Sequence, residues 1–406
     1  MKLYVKLAWR NLWRNKRRTI LAFSSVFFAM LLALITESFQ HGQHDIMIDG
    51  AVRMYTGYIQ IHGIGYWDER SLEKSIEADS VFISSIENIE HVEVAVPRLE
   101  NFMLVSSKEI TKVGSVVCID PEKENSMTRL KNKLVAGRYL NDSDNGILIS
   151  EGLARMLNVS TGDTVVLYGQ GIYGVTAATL VPIVGILKFA LPDLNNTFMY
   201  MSLSYGQELF SMQGKLTTIS VMINDPRKLD KVYETIKAIA KGKYEVMRWE
   251  DMMPELVQGI LLDNVGGRIM IGILYLIIAF GIFGTVMMMT VERTREFGIL
   301  ISIGMRKSVL ILVTTIEAIF ISFLGAMSGL IASIPIIIYF KRNPIEFTGK
   351  LAEASLKFGV EPVLPFSTDV SIFIAQTLVV LAIALFSALY PVNFIRKLHP
   401  IKAMRA

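Results

Sequence analysis

Four runs of apolar side chains, Ile20 to Phe39, Ile269 to Val291, Val309 to Phe340 and Val370 to Ile395, constrain this chain more than any other feature. A bilayer core roughly 30 Å thick takes about 20 consecutive apolar residues per helix. Each run meets that length, so the sequence predicts a membrane protein with four transmembrane α-helices. Composition agrees: 52% of the residues are hydrophobic and 19% charged, against roughly 45–50% and about 25% in soluble domains. The first run follows a basic stretch, as in a signal peptide, but an h-region is only about 7–15 residues long and ends in small residues. This run is longer and ends Thr36-Glu37-Ser38-Phe39, which predicts a retained anchor.

Lys2, Lys6, Arg10, Arg14, Lys16, Arg17 and Arg18 precede the first run. Arg293, Arg295, Arg306 and Lys307 lie between the second and third, and Arg396, Lys397, Lys402 and Arg405 follow the fourth. Lys and Arg accumulate in short cytoplasmic flanks, so these three segments and both termini are expected in the cytoplasm. Residues 341–369 balance four basic with four acidic residues and are expected outside. Residues 40–267 carry 21 Lys and Arg against 29 Asp and Glu, whereas the rest of the chain carries 20 against 8. That division suits membrane lipid headgroups inside and an acidic soluble domain outside, and it gives no argument for a nucleic-acid partner. The lone Cys118 can form no internal disulfide and is expected to be buried.

The organisation that follows is an amphipathic elbow over 1–18, with Leu3, Leu7, Leu12, Trp9 and Trp13 among the cations, then a first span over 19–39. A large α+β domain with stalk helices occupies 40–267, inserted between the first and second spans. The second span covers 268–291, a cytoplasmic connection 292–308, the third span 309–340, an outer loop 341–369, the fourth span 370–395 and a tail 396–406. Within the domain, β-branched and aromatic runs bounded by turn residues predict strands at Tyr58–His62, Val92–Val96, Val113–Ile119, Thr164–Tyr168, Thr179–Leu187, Thr197–Met201, Thr217–Ile223 and Tyr244–Met247. Helical spacing marks Leu72–Ile89, Gly152–Leu157, Ser204–Met212 and Lys228–Lys241. The third run is longer than a bilayer needs, with Pro335 as a kink point and Gly325 and Gly329 spaced for close helix approach.

The connection reads Val291-Glu292-Arg293-Thr294-Arg295-Glu296-Phe297-Gly298-Ile299-Leu300-Ile301-Ser302-Ile303-Gly304-Met305-Arg306-Lys307. It mixes charge with an apolar stripe at Phe297, Leu300 and Ile301, as in a short helix offering one face to a partner. Here the sequence resembles the FtsX/MacB family of ABC-transporter permeases, in its Glu-Arg, its following Glu, its Gly-Ile-Leu and a later Gly. Arg10-Asn11-Leu12 before a basic cluster resembles the family's amino-terminal signature. Ile147-Leu148-Ile149-Ser150-Glu151-Gly152-Leu153-Ala154 with Gly162-Asp163-Thr164 resembles its outer-domain motif, the MacB-like periplasmic core. Tyr390-Pro391 through Pro400-Ile401-Lys402-Ala403-Met404-Arg405, and Trp249-Glu250-Asp251, resemble the lipoprotein-releasing LolC/LolE branch.

The resemblance implies mechanotransmission: a cytoplasmic LolD-like ATPase dimer, holding the ATP and Mg, moves a coupling segment comprising Glu292, Arg293, Arg295, Glu296, Phe297, Gly298, Leu300 and Gly304. It also implies a second permease, the same or homologous, and a lipoprotein substrate entering laterally near Glu37 and Phe39. A periplasmic carrier in that branch docks on a loop matching Gly169 to Ala178, where Gly169, Gly171 and Tyr173 are the carrier-facing residues; here the loop is short and lacks the branch's prolines. MacB-like export of a peptide, toxin or drug, and FtsX-like activation of a cell-wall hydrolase without transport, are the competing readings, the last associated with a smaller outer domain. The chain contains no Gly-x-x-x-x-Gly-Lys-Ser/Thr loop, so it is expected to be no enzyme and to bind no cofactor of its own. His41, His44 and Asp45 share a helix face but lack further ligands nearby, so no metal site is expected. Glu317, deep in the third run, is expected to face a partner or cavity, as a proton relay or as a hydrogen-bonded packing residue.

Overall fold

The computed structural model describes residues 2–14, 16–77, 79–189, 191–350, 352, 355, 362–399, 401 and 403. Pro400, Lys402, Met404 and Arg405 of the tail, much of 351–361, and the side chains of Lys2, Leu3 and Arg18 lie outside the described residues. The chain divides into two compact units, one of Met1–Asp45, Gly259–Glu346 and Val363–Ala406, the other of Ile46–Gln258 and Phe347–Pro362.

The first unit is built from helices: an elbow helix Lys2–Arg14, a first long helix Lys16–Ala51, a second Pro254–Glu292, a connecting helix Thr294–Ser302, a third long helix Lys307–Arg342, and a fourth in two pieces, Val370–Ser387 and Leu389–Lys397. Four of them are long and apolar enough to cross a membrane. Met30 and Leu34 of the first pack with Ile278 and Ile282 of the second, Ala326 and Ile337 of the third, and Ile372 and Val380 of the fourth. The Gly325 and Gly329 pair has a definite partner, the first long helix. A Cβ on Gly325 would stand 2.8 Å from the Val26 Cβ, and one on Gly329 would stand 2.7 Å from the Phe27 carbonyl oxygen. The third helix runs on through Pro335 to Arg342.

The second unit is α+β. Its strands, with two short ones from the first unit, are β1 Ile59–His62, β2 Ile76–Glu77, β3 Val92–Ser107, β4 Ile110–Ile119, β5 Leu134–Gly137, β6 Ile147–Ser150, β7 Thr164–Gln170, β8 Thr176–Leu187, β9 Phe198–Ser202, β10 Lys215–Leu216, β11 Thr218–Ile223, β12 Glu245–Arg248, and β13 Ile345–Glu346 with β14 Val363–Leu364. Ten form one sheet in the order β12-β1-β11-β3-β4-β9-β6-β8-β5, with β7 pairing both β3 and β8. Every predicted strand is present, but the one predicted at Val92–Val96 runs on to Ser107, where residues 98–107 pair with β4, and β2, β5, β6, β10, β13 and β14 escape the sequence reading. The predicted helix Leu72–Ile89 is corrected. Ser71 caps a short turn at Leu72–Lys74, β2 follows, and the Asp79 carboxylate accepts from the Val81 amide at 2.9 Å to start a separate helix, Ser80–Glu87.

Arg98, on β3, is fully buried at the centre of this unit. Its Nε and Nη2 donate to the two carboxylate oxygens of buried Glu124 at 2.7 Å each, and its Nη1 donates to the Tyr55 carbonyl and to Ser220 Oγ. Tyr55 belongs to the π-helical turn Val52–Thr56 that continues from the first long helix. Burial works against the guanidinium charge, but the Glu124 carboxylate outweighs it and holds the pKa above the ordinary arginine value. Removing one member of such a pair leaves an uncompensated buried charge, at about 3–5 kcal/mol. Arg98→Met in the full chain is therefore expected to lower the unfolding midpoint sharply. Adding Glu124→Leu is expected to restore much of it, as read by thermal unfolding in detergent.

Candidate functional site

The segment joining the second and third long helices is shaped by two local breaks. The second helix ends at Glu292, and Arg293, at φ −92° and ψ 5°, turns the backbone before Thr294 starts the connecting helix, whose Phe297 amide donates to the Arg293 carbonyl. At the other end Gly304 takes φ +108°, a value open to glycine but strained for other residues, and the Met305 amide closes on the Leu300 carbonyl. That is the physical reason for a glycine at this place. The chain then enters the third helix at Lys307.

The apolar stripe faces inward. Phe297 is 1% exposed and packs with Leu310, Ile395, Leu398 and Ala403, and partly buried Leu300 and Ile301 lie against the same cluster. Gly298 is buried beside Phe297, while Glu292, Arg295, Ile299, Ile303 and Gly304 are exposed. The face left for a partner is thus the one carrying Arg295, Ile299 and Ile303.

Arg293 and Glu317 are the chemical centre of the segment. Both are buried, and the Arg293 Nη1 donates to Glu317 Oε2. Asn11 of the elbow helix donates to Glu317 Oε1 at 2.6 Å. Arg293 Nε donates to Glu296 Oε2 at 3.4 Å, and Arg14 Nη2 reaches the same oxygen at 3.2 Å. A cavity of about 50 Å³ beside the pair, lined also by Thr290, Thr314 and Ser322, has room for a water or two. Five side chains from the elbow, the connection and the third helix thus form one polar network, and Glu317 is a partner in an ion pair.

Glu37 is half-buried, with Oε1 3.7 Å from His41 Nε2 and Oε2 without a hydrogen-bond partner. Phe39 lies against Phe366. Just beyond them, His44 Nε2 meets Asp263 at 2.7 Å, and a Cβ on Gly267 would fall on the Gln40 side-chain amide. The first and second long helices therefore touch along residues 40–44 and 263–267. In the other unit, Gly169 lies near the end of β7 and Gly171 opens the β7–β8 turn. A Cβ on Gly171 would stand 2.5 Å from the Phe210 carbonyl oxygen, and Ile172 donates to that carbonyl. Tyr173, at φ +57°, is 72% exposed at the tip.

A surface absent from the sequence reading lies beside that turn. On β3, β4, β7 and β8 the inner face buries Met103, Val105, Val165, Leu167 and Val181, and the outer face should by alternation be polar. Instead it exposes Phe102, Leu104, Val113, Val166, Tyr168 and Leu180. Leu104 stands directly opposite both Val113 and Tyr168, and Val166 opposite Leu180, so these side chains form continuous cross-strand rows. The signal was in the sequence as strands apolar at both parities, which single-strand patterning reads only as burial.

A family model described as the FtsX-like permease C-terminal matches residues 268–400, and one described as the MacB-like periplasmic core domain matches residues 21–239. The chain is 26% identical over 209 residues to an uncharacterized ABC transporter permease of Methanocaldococcus jannaschii, a match covering 49% of this chain and half of that protein. It is 22% identical over 334 residues to the lipoprotein-releasing system transmembrane protein LolC of Neisseria meningitidis, covering 79% of each. It is 20% identical over 346 residues to the uncharacterized ABC transporter permease YknZ of Bacillus subtilis, covering 80% of this chain and 84% of that one.

The network orders the costs of its own removal. Glu317→Ala takes the closer of the two carboxylates from the buried Arg293 guanidinium and leaves it only the 3.4 Å contact with Glu296, a loss of about 3–5 kcal/mol. Asn11→Ala loses one hydrogen bond to a charged group, about 1.5–3 kcal/mol, and Arg14→Ala loses a half-exposed ion pair worth about 0–1 kcal/mol. Thermal unfolding in detergent is expected to rank the three variants in that order.

Proposed function

The chain belongs to the FtsX/MacB family of ABC-transporter permeases, and from that premise we propose that it uses ATP hydrolysed by a separate LolD-like ATPase dimer to release lipoproteins from the outer leaflet of a bacterial inner membrane. In this reading both termini and the connecting segment are cytoplasmic and the α+β domain is periplasmic, the placement favoured by the basic flanks. Glu292, at the end of the second long helix, and the exposed face of the connecting segment, with Arg295, Ile299 and Ile303, meet the ATPase. Its buried face, Phe297 and the Arg293–Glu317 pair, passes displacement to the third helix and, through Asn11, to the elbow. A second permease completes the assembly; the second long helix leaves Leu262, Ile269 and Phe280 exposed, apolar side chains suited to lipid or to another helix.

The observation that carries the choice of substrate is the apolar outer face of β3, β4, β7 and β8. Water-exposed rows of this kind mark interaction surfaces, and a lipid-bearing protein or its carrier needs an apolar landing place outside the membrane. Likeness to a LolC over 79% of the chain points the same way. The tight Gly169–Ala178 turn beside this face offers Tyr173 in place of a long proline-bearing hook, so the sheet face and not the turn is the expected contact for a carrier.

Reconstitution with the partner ATPase in proteoliposomes tests both halves. Lipoprotein is expected to leave the membrane with ATP present. Leu104→Asp with Tyr168→Asp is expected to cut that release about tenfold or more while ATP hydrolysis stays near wild type. Glu292→Ala with Glu296→Ala is expected to lower permease-stimulated hydrolysis while membrane insertion is intact. Lipoprotein that stays bound while another substrate is expelled contradicts the substrate; unchanged stimulation contradicts the motor contact.

A further inference from the structure

We infer that a pocket at the basic end of the first long helix binds the headgroup of an anionic phospholipid. The pocket, about 530 Å³, lies between Arg14, Lys16, Arg17 and Leu21 on one side and Thr285, Met288, Met289 and Glu292 on the other. Three cations face one carboxylate. Lys16 and Arg17 are exposed and make no ion pair among the described residues, and Arg14 uses one guanidinium nitrogen on Glu296. Two cations without an ion pair among the described residues, beside a pocket of this size, call for an anionic ligand.

What makes that ligand a lipid is the other half of the lining. Leu21 and Met288 are 54% and 59% exposed, and Ile20, next along the helix, is 59% exposed. Ile20 and Leu21 open the apolar stretch of the first helix and Met288 lies near the close of that of the second, both apolar enough to lie in hydrocarbon. A free oxyanion gains nothing from this wall, whereas a phospholipid places its phosphate among the cations and its acyl chains along Leu21 and Met288. Basic pockets between transmembrane helices at the membrane edge recognise headgroups by this combination. Because Arg14 also holds Glu296, the bound phosphate would sit one side chain away from the connecting helix. The inference does not depend on which substrate the permease moves.

The test uses the purified full-length chain and native mass spectrometry, counting retained phosphatidylglycerol against phosphatidylcholine with the same acyl chains. Wild type is expected to favour phosphatidylglycerol about tenfold or more. Lys16→Gln with Arg17→Gln is expected to abolish the preference, and Lys6→Gln with Arg10→Gln, the same charge change outside the pocket, to keep it. On the unmutated chain, phosphatidylglycerol is expected to shield Lys16 from acetylation several-fold relative to Lys6. Equal retention of the two lipids, equal loss in both double variants, equal labelling of Lys16 and Lys6, or displacement of the lipid by millimolar inorganic phosphate would overturn the assignment, the last by showing a site for free oxyanions.

Discussion

The buried ion pair between Arg293 and Glu317 is the contact on which the helical unit turns. A charge taken out of water into an apolar setting is costly, and its partner compensates only when the geometry is good and the remaining polar atoms are satisfied. Here Glu317 has its second oxygen filled by Asn11 and Arg293 has Glu296 within reach. The arrangement therefore fixes three elements at once, and none can shift far without exposing or stranding a charge. Apolar packing of Phe297 against Leu310 and Ile395 adds the non-directional part of the same joint. Arg295, Ile299 and Ile303 are thus presented from a segment that is tied to the elbow and the third helix by side-chain bonds.

The α+β unit repeats the device in a different place. Arg98 and Glu124 form a fully buried pair whose third contact is the carbonyl of Tyr55, in the turn that continues the first long helix. The chain entering the sheet is thereby held to the central strand by a charge-assisted bond. On the outer face of the same sheet the usual rule is reversed, and Phe102, Leu104, Val113, Val166, Tyr168 and Leu180 meet solvent. Exposed apolar rows weaken solubility and give the isolated fold nothing, which is why they are read as a surface kept for a partner.

Much of this was legible from residue patterns alone. The four membrane helices follow from run length, and strands such as Val113–Ile119 and Thr164–Tyr168 follow from β-branched runs between turn residues. The acid at 317 could be read as needing a partner. What could not be read is the identity of that partner: Asn11 lies 306 positions away in the chain and Arg293 lies 24, and periodicity carries no information about contacts at such separations. The stripe of Phe297, Leu300 and Ile301 was visible, but a helical period gives a face and not its occupant. That face packs on the chain itself, leaving the opposite side for a partner. The helix read over Leu72–Ile89 failed because Asp79 restarts the backbone as a cap, a local hydrogen bond that outweighs the apolar spacing on either side.

The bond from Arg293 to Glu317 ties the start of the connecting helix to the third long helix. A double-mutant cycle shows whether the two work as one joint: Arg293→Met, Glu317→Met and the double variant, reconstituted with the ATPase and read as stimulated ATP hydrolysis. Coupled residues give non-additive effects. Each single variant is expected to lose most of the stimulation, and the double variant to lose no more than either. Losses that simply multiply would show two independent residues and contradict a single joint.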